Sequence, residues 1–227
     1  MSPPAKPARP LFVTFEGLDG SGKTTHLRRT VRWLGEREIP HRVTHEPGGT
    51  PLGEAIRGVF LDHRWRDMDG RVELLLVFAS RRQHLIEVVD PALARGEHVL
   101  CDRFTDSTRA YQGYGRGVDP ELIDQVDRVA TGGRKPDLTL LFDLAPEAAR
   151  ERGATTRNQR SPDSADRLDA ETLAFYRRVS DGFRELAAAE PERFRRIDSS
   201  GSKERTEAQV RRALAGLFGD EGPEAAT

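Results

Sequence analysis

Eight residues, Gly17-Leu18-Asp19-Gly20-Ser21-Gly22-Lys23-Thr24, restrict what this chain can fold into more than any other stretch. Their spacing is G-x-x-x-x-G-K-T, which carries meaning only between a buried strand and a helix. Both neighbours are present: the apolar run Leu11-Phe12-Val13-Thr14-Phe15 precedes the loop and a helical stretch, His26 to Gly35, follows it. Small residues let such a loop wrap closely, so that its backbone N–H groups, on to Thr25, turn inward toward phosphate oxygens. The next helix adds partial positive charge at its N-terminus, Lys23 a full charge, and the Thr24 hydroxyl a ligand for Mg²⁺. The loop predicts a nucleoside triphosphate site at the end of a strand.

The rest of the chain supplies the layers around that strand. Further strand-like runs are Arg42–His45, His98–Asp102, Leu138–Leu144 and Phe194–Asp198. Between them lie the amphipathic stretches Thr25–Arg37, Leu52–Leu61, Met68–Ala94, Pro120–Thr131, Pro146–Arg152, Ala170–Ala189 and Ser202–Phe218. Alternation of this kind predicts an α/β fold of the P-loop NTPase type: a five-stranded parallel sheet, helices on both faces, and ligands outside the carboxyl ends of the strands. At 227 residues one domain over 11–218 is expected, with a proline-rich disordered leader over 1–10 and an acidic tail over 219–227. A net charge of −1 gives no field to recruit nucleic acid or an anionic membrane. The single cysteine, Cys101, lies in the apolar run His98-Val99-Leu100-Cys101 and reads as core. No apolar run is long enough to span a membrane, and the expected location is the cytoplasm.

Three further clusters sit at strand ends. Glu46-Pro47-Gly48-Gly49-Thr50 combines a rigid turn with a carboxylate. Asp102-Arg103-Phe104 offers an acidic residue able to hold Mg²⁺ and a guanidinium fork for phosphate. Arg150, Arg152, Arg157, Arg160 and Arg167 crowd one segment beside Gly153, Asn158, Ser161 and Pro162. Planar arginine forks on a flexible segment suit a mobile lid, at about 150–167, that closes over the transferring phosphoryl group.

Taken together these motifs resemble the thymidylate kinase family, in its bacterial branch. The residues carrying the resemblance are Phe15 to Thr25, Glu46-Pro47-Gly48-Gly49-Thr50, Asp102-Arg103-Phe104, Ser107-Thr108-Arg109-Ala110-Tyr111-Gln112-Gly113, Gly115-Arg116-Gly117 and Pro136-Asp137-Leu138-Thr139-Leu140. The resemblance implies transfer of the ATP γ-phosphoryl group to dTMP, a step in dTTP synthesis. It puts Lys23 on the donor phosphates, Thr24 and Asp102 at Mg²⁺, and Asp19 against the acceptor sugar. Glu46 falls in the substrate-shaping loop, Arg57 and Arg103 hold the acceptor phosphate, Ser107 and Thr108 lie near the base, and Tyr111 packs on the deoxyribose. The P-loop interior, Leu18-Asp19-Gly20-Ser21, has no arginine, which implies the style in which the lid supplies it, with Arg157 and Arg160 as first candidates. The family's assembly implies a homodimer, and the apolar run Leu74-Leu75-Leu76-Val77-Phe78 covers more than one helical face.

Two positions depart from the family pattern. His45 stands where an arginine usually precedes Glu-Pro-Gly-Gly-Thr. The family's Phe-x-x-x-Arg thymine clamp matches Phe78 and Arg82 by spacing, whereas aligning Gln83-His84 points to Arg81 with Val77 in the stacking place. Arg81 is preferred as the base reader, with Phe78 stacking from a neighbouring position. Other readings lack their marks: a regulatory GTPase needs an Asn-Lys-x-Asp run, a DNA-handling ATPase a basic face, and neither occurs. A guanylate or adenylate kinase fits the Ala-Tyr-Gln-Gly segment poorly, and a degenerate scaffold would not retain Lys23, Thr24, Asp102 and Arg103.

Overall fold

Five runs form the strands β1 (Phe12–Glu16), β2 (His41–His45), β3 (His98–Asp102), β4 (Leu138–Asp143) and β5 (Phe194–Asp198), of which β1, β3 and β4 bury most of their residues and β2 and β5 are partly exposed. The computed structural model describes residues 9–160 and 166–218, and no side-chain detail for 156–160 or 216. The leader over 1–8, the tail over 219–227 and the lid's 161–165 lie outside the described residues. The strands make one parallel sheet in the order β2-β3-β1-β4-β5. β1, which carries the P-loop, is therefore central, and the chain leaves it on both sides.

Side-chain alternation on β4 shows how both faces are covered. Leu138, Leu140 and Phe142 pack with Leu27, Trp33 and Leu34 of α1 (Lys23–Gly35) and Val210, Leu214 and Phe218 of α9 (Lys203–Phe218). Leu141 points the other way. It joins Leu74, Val77 and Phe78 of α3 (Gly70–His84), Ile123 and Ala130 of α6 (Pro120–Thr131), and Phe175, Val179 and Phe183 of α8 (Leu173–Ala189). The expected three-layer arrangement is present.

The helices differ from the sequence reading at informative places. The run expected as one helix over 68–94 starts at Gly70, because Asp69 caps it by accepting from the Arg71 N–H at 2.8 Å. It then widens into a π-helical turn, Leu85–Val89, before α4 (Asp90–Ala94). The segment after β3, assigned neither strand nor helix from the sequence, is helical: α5 (Thr105–Thr108) runs into a second π-helical stretch, Arg109–Gly115. Such wide turns often mark functional sites. Completing the set are α2 (Pro51–Leu61) and α7 (Pro146–Arg160), the latter continuing well past the expected end at Arg152.

Candidate active site

The loop after β1 keeps its wrapped shape through glycines at φ values that side chains disfavour. Gly20 has φ +82°, and a Cβ there would stand 2.0 Å from the Ala149 carbonyl oxygen, so α7 lies directly on the loop. Lys23, 4% exposed, donates back to the Leu18 carbonyl at 2.9 Å and stands 3.6 Å from Asp19. Burial and the nearby Arg103 guanidinium push its pKa down. Thr24 Oγ1 donates to Asp102 Oδ2 at 2.9 Å. A hydroxyl and a carboxylate oxygen thus stand side by side at the loop, a donor set that suits a hard cation such as Mg²⁺.

Arg103 lies at the centre of the site and has the left-handed backbone conformation, φ +74°. That conformation is strained for a side chain of this size, a condition that clusters at functional sites. Its guanidinium donates to Gly17 O at 3.1 Å, to Ser107 Oγ at 2.9 Å and to Asp19 Oδ1 at 2.6 Å, and lies 5.1 Å over the Tyr111 ring. Burial opposes the charge of Asp19, yet Arg103 and Lys23 outweigh it and hold the carboxyl well below the usual range. Behind Arg103 lies Glu16, fully buried, which accepts from the Phe104 N–H at 2.7 Å and from Ser107 Oγ at 2.5 Å. Burial, reinforced by Asp106, pushes the Glu16 pKa up to about 8.

A second charged group faces the first across the cleft. Glu46, 2% exposed, accepts from Arg81 Nε at 2.6 Å and from His84 Nδ1 at 2.7 Å. Burial raises its pKa, but Arg81 and His84 overcome that and lower it. Arg81 also donates to Thr108 Oγ1 at 3.0 Å, with its guanidinium 4.6 Å from the Phe78 ring centroid and 5.0 Å from that of Phe104. Arg57, on α2, donates to the Pro47 carbonyl at 3.0 Å. One cleft of about 1060 Å³ joins both groups, walled by Asp19, residues 20–25, Glu46, Arg57, Arg81, Arg103, Ser107, Thr108 and Tyr111.

Most of the sequence-expected residues whose side chains are described therefore converge, and four of these do not line the cleft wall. Gly17 and Leu18 lie beneath the loop, where their carbonyls accept from Arg103 and Lys23. Asp102 connects through Thr24. Phe78 is 2% exposed and lies under Arg81, so the cleft wall at that turn is Val77. The offset follows from helix geometry, which sends adjacent residues about a hundred degrees apart.

The comparisons with known proteins agree with this geometry. A family model described as thymidylate kinase matches residues 15–210. A thymidylate kinase of Oleidesulfovibrio alaskensis is 49% identical over 210 residues, covering 92% of this chain and 99% of that protein. One of Gloeobacter violaceus is 49% identical over 206 residues, 90% of this chain and 94% of the relative. The crystal structure of thymidylate kinase from Ehrlichia chaffeensis superposes with a TM-score of 0.71 at 32% identity, covering 91% of this chain and 99% of that one. The chain belongs to the thymidylate kinase family.

With the family fixed, the two departures have structural answers. Arg81 faces the cleft, whereas Arg82 points away and donates to the Ala130 carbonyl on α6 at 3.4 Å. His45 Nε2 lies 2.9 Å from Glu54 Oε1, which also accepts from the Gly49 N–H at 2.7 Å. A histidine–glutamate pair thus holds the Glu-Pro-Gly-Gly-Thr turn from outside, where the family usually has arginine. Among the lid arginines, Arg152 donates to the Ser199 carbonyl at 2.8 Å. Arg167 is buried against Glu73 at 2.6 Å, so it is part of the framework and not of a free lid. Arg157 and Arg160 fall in the last turns of α7, and their side chains lie outside those described.

Sequence reasoning passed over Glu16, Glu73 and the pair Asp166 and Asp169. The last two line the cleft beside Leu168. Burial, with Asp169 and Asp19 nearby, pushes the Asp166 pKa up to about 6. Only Asp166 had a local signal: it caps the turn Arg167–Ala170 by accepting from the Leu168 and Asp169 N–H groups.

Proposed function

We propose that this chain is a thymidylate kinase that transfers the γ-phosphoryl group of ATP to the phosphate of dTMP, giving dTDP and ADP. The observation that carries the reading is one cleft holding two separately anchored cationic groups, Lys23 with Arg103 and Arg81 with Glu46, in a chain of this family. In this arrangement Lys23 and Arg103 face phosphate charge, and Arg81, balanced by Glu46, offers hydrogen bonds to an uncharged base.

In this reading a dTMP phosphate oxygen forms a new bond to the γ-phosphorus. The bond from that phosphorus to the β–γ bridging oxygen breaks, and its electron pair leaves on ADP. The attacking oxygen is already anionic, so no strong base is required and the residues act by placement and charge. Lys23 and the loop N–H groups hold the donor phosphates. Arg103, locked between Asp19 and Ser107, and Arg57 orient the acceptor phosphate. Arg81 and Thr108 meet the base, Glu46 fixes Arg81, and Tyr111 packs against the sugar while Asp19 accepts from its hydroxyl. Arg157 and Arg160 supply charge from α7, whose preceding residues Glu151, Arg152 and Thr155 line the cleft. Thr24 and Asp102 would hold Mg²⁺, which when bound neutralises phosphate charge.

The test is ADP release with Mg²⁺-ATP against dTMP, dUMP, dCMP, UMP, GMP and AMP. Preference for dTMP, lost in Lys23→Ala and Arg103→Ala, is expected; turnover on a different monophosphate alone would overturn the acceptor assignment.

A homodimer in the cytoplasm belongs to the same proposal. Leu52 and Val59 of α2 and Val72 and Leu75 of α3 are 46–59% exposed on two helices that pack together. An apolar strip of that kind suits a second copy of the chain. Among the described residues no helix is long and apolar enough to cross a membrane. A monomeric mass by light scattering at micromolar concentration would refute the dimer.

A further inference from the structure

Glu73 lies on α3 one turn before Val77, fully buried and behind the cleft wall, not on it. Three side chains from two distant parts of the chain converge on its carboxylate. Gln112 Nε2 donates to Oε2 at 2.7 Å, and Arg116 Nε and Arg167 Nη1 donate to Oε1 at 2.9 and 2.6 Å. Arg167 continues the connection: its Nε donates to the Phe60 carbonyl at the end of α2, and its guanidinium lies 4.7 Å over the Phe60 ring. Arg116 continues it too, pairing with Glu171 at 2.6 Å and covering the Phe175 ring at 4.7 Å.

The Gln112 and Arg167 branches of this network reach the cleft, whereas the Arg116 branch ends on Glu171 and Phe175 behind it. Phe60 and Gln112 line the wall, as do Asp166 and Leu168 on either side of Arg167 in the sequence. A carboxylate can only accept, so it must be the amide nitrogen of Gln112 that faces Glu73. That orientation turns the Gln112 carbonyl oxygen away from Glu73. The oxygen is absent from the buried polar atoms that lack a partner among the described residues, and no hydrogen bond occupies it. It is therefore open to the cleft as a hydrogen-bond acceptor, one residue from Tyr111. A ligand N–H or O–H is its natural partner.

Stability alone does not explain such a group. Buried charge networks are commonly no more stabilising than apolar packing of the same volume. Here Arg116 Nη2 and Arg167 Nη2 remain buried without partners even with Glu73 in place. What the carboxylate does accomplish is to fix three wall segments, and one amide orientation, relative to each other.

We infer that Glu73 is a positioning residue for the acceptor nucleotide: it sets the Gln112 amide so that its carbonyl faces the pyrimidine nucleotide, and ties the Arg167–Ala170 turn and Phe60 to the same frame. The inference rests on the dTMP-kinase reading above. Its test is steady-state kinetics of full-length wild-type, Glu73→Gln and Gln112→Leu proteins, varying dTMP and ATP separately. Gln112→Leu leaves the ion pairs intact, so it reports on the amide even if Glu73→Gln folds poorly. Expected is a rise in KM for dTMP of about tenfold in each variant, the loss of roughly one hydrogen bond, with KM for ATP unchanged. An Arg167→Gln, Glu73→Gln double variant, which removes both charges, is expected to recover thermal stability but not the dTMP KM. Unchanged dTMP KM in Gln112→Leu, or equal rises in both KM values, would overturn the inference and leave Glu73 a framework residue. Absence of dTMP turnover by the wild-type protein would overturn the functional reading itself, a result the variants cannot mimic.

Discussion

Glu46→Gln removes one charge from a pair that solvent does not reach. The Glu46 and Arg81 side chains are 2% and 3% exposed and 2.6 Å apart, and Arg81 Nη1 is already buried without a partner. After the substitution the guanidinium keeps Thr108, the faces of Phe78 and Phe104 and a neutral amide oxygen, but no carboxylate offsets its buried charge. Breaking one side of a buried pair costs about 3–5 kcal/mol. For a domain of this size each kcal/mol moves Tm by about 2–4 °C, so the expected drop is roughly 6–20 °C. Arg81→Met should lose a comparable amount, because Glu46 then retains only His84. The double variant should lose much less than the sum, because no buried charge is left unpaired.

The pH dependence has a definite sign. Glu46 titrates lower in the folded protein than its ordinary value of 4.5, so its stabilising contribution is present above 4.5 and fades as pH falls below it. The gap between wild type and Glu46→Gln should be widest near neutrality and narrow on acidification. Calorimetry across that range, with dTMP kinetics at neutral pH, is the assay. Arg81→Met should lose more in kcat/KM for dTMP than Glu46→Gln, which still has the guanidinium. A Tm change under about 2 °C at neutral pH, or a gap that widens toward acid, would refute the reasoning.

Three further outcomes are expected. Glu16 titrates at about 8 folded against 4.5 unfolded, so its contribution is complete below 4.5 and lost as pH rises toward 8; Glu16→Gln should therefore gain stability relative to wild type over that window, measured by urea unfolding at several pH values. The opposite slope would mean that Glu16 is ionised beneath Arg103. Asp102→Asn should shift the Mg²⁺ concentration for half-maximal activity upward with little change in Tm, because the Thr24 hydroxyl keeps a hydrogen-bond acceptor; an unchanged Mg²⁺ profile would remove Asp102 from the cation site. Gly20→Ala should abolish ATP binding in calorimetric titration, since its Cβ would collide with the Ala149 carbonyl at a φ of +82°, and tight ATP binding would show that α7 gives way.

What the sequence made legible was whatever is encoded over short spans. The P-loop announces itself because the strand, the glycines and Lys23 are contiguous; β1, β3 and β4 were recognisable as mainly apolar runs, and the more polar β2 and β5 by their place in the β/α alternation, with ends displaced by at most a residue. The helical segment 105–115 was not, since Thr-Asp-Ser-Thr followed by Gly-Tyr-Gly has poor helix propensity and forms only because Ala110 and Tyr111 are buried against α8. The end of α7 was misjudged because glycine at 153 reads as a break, yet no proline occurs before Pro162. Arg81 and Arg82 were nearly indistinguishable in one dimension, and only the packing of α3 on α6 decides which one faces the cleft. Glu16 and Glu73 were invisible for a different reason: a buried carboxylate looks like any surface carboxylate until its distant donors are known.

Those hidden carboxylates share a logic with Glu46. Each is sealed from solvent and stands behind an arginine or its support: Glu46 directly behind Arg81, Glu16 behind Ser107 and so Arg103, Glu73 behind Arg167. Two polyanionic nucleotides could be bound by arginines on flexible surface stems, but each stem would then lose rotamer freedom on binding, and the forks would not be aligned for in-line attack. Anchoring the forks from the buried side orders them before the ligand arrives. At Arg81 and Arg167 it also places negative charge close behind the cation, while Glu16, raised to about 8, supports Arg103 as a neutral hydrogen-bonding group and Asp19 supplies that guanidinium's counter-charge. The chain's net charge of −1 conceals this arrangement entirely. Positive charge at the cleft is a matter of which side of each ion pair faces inward, and at Arg81 that is set by where Glu46 is buried.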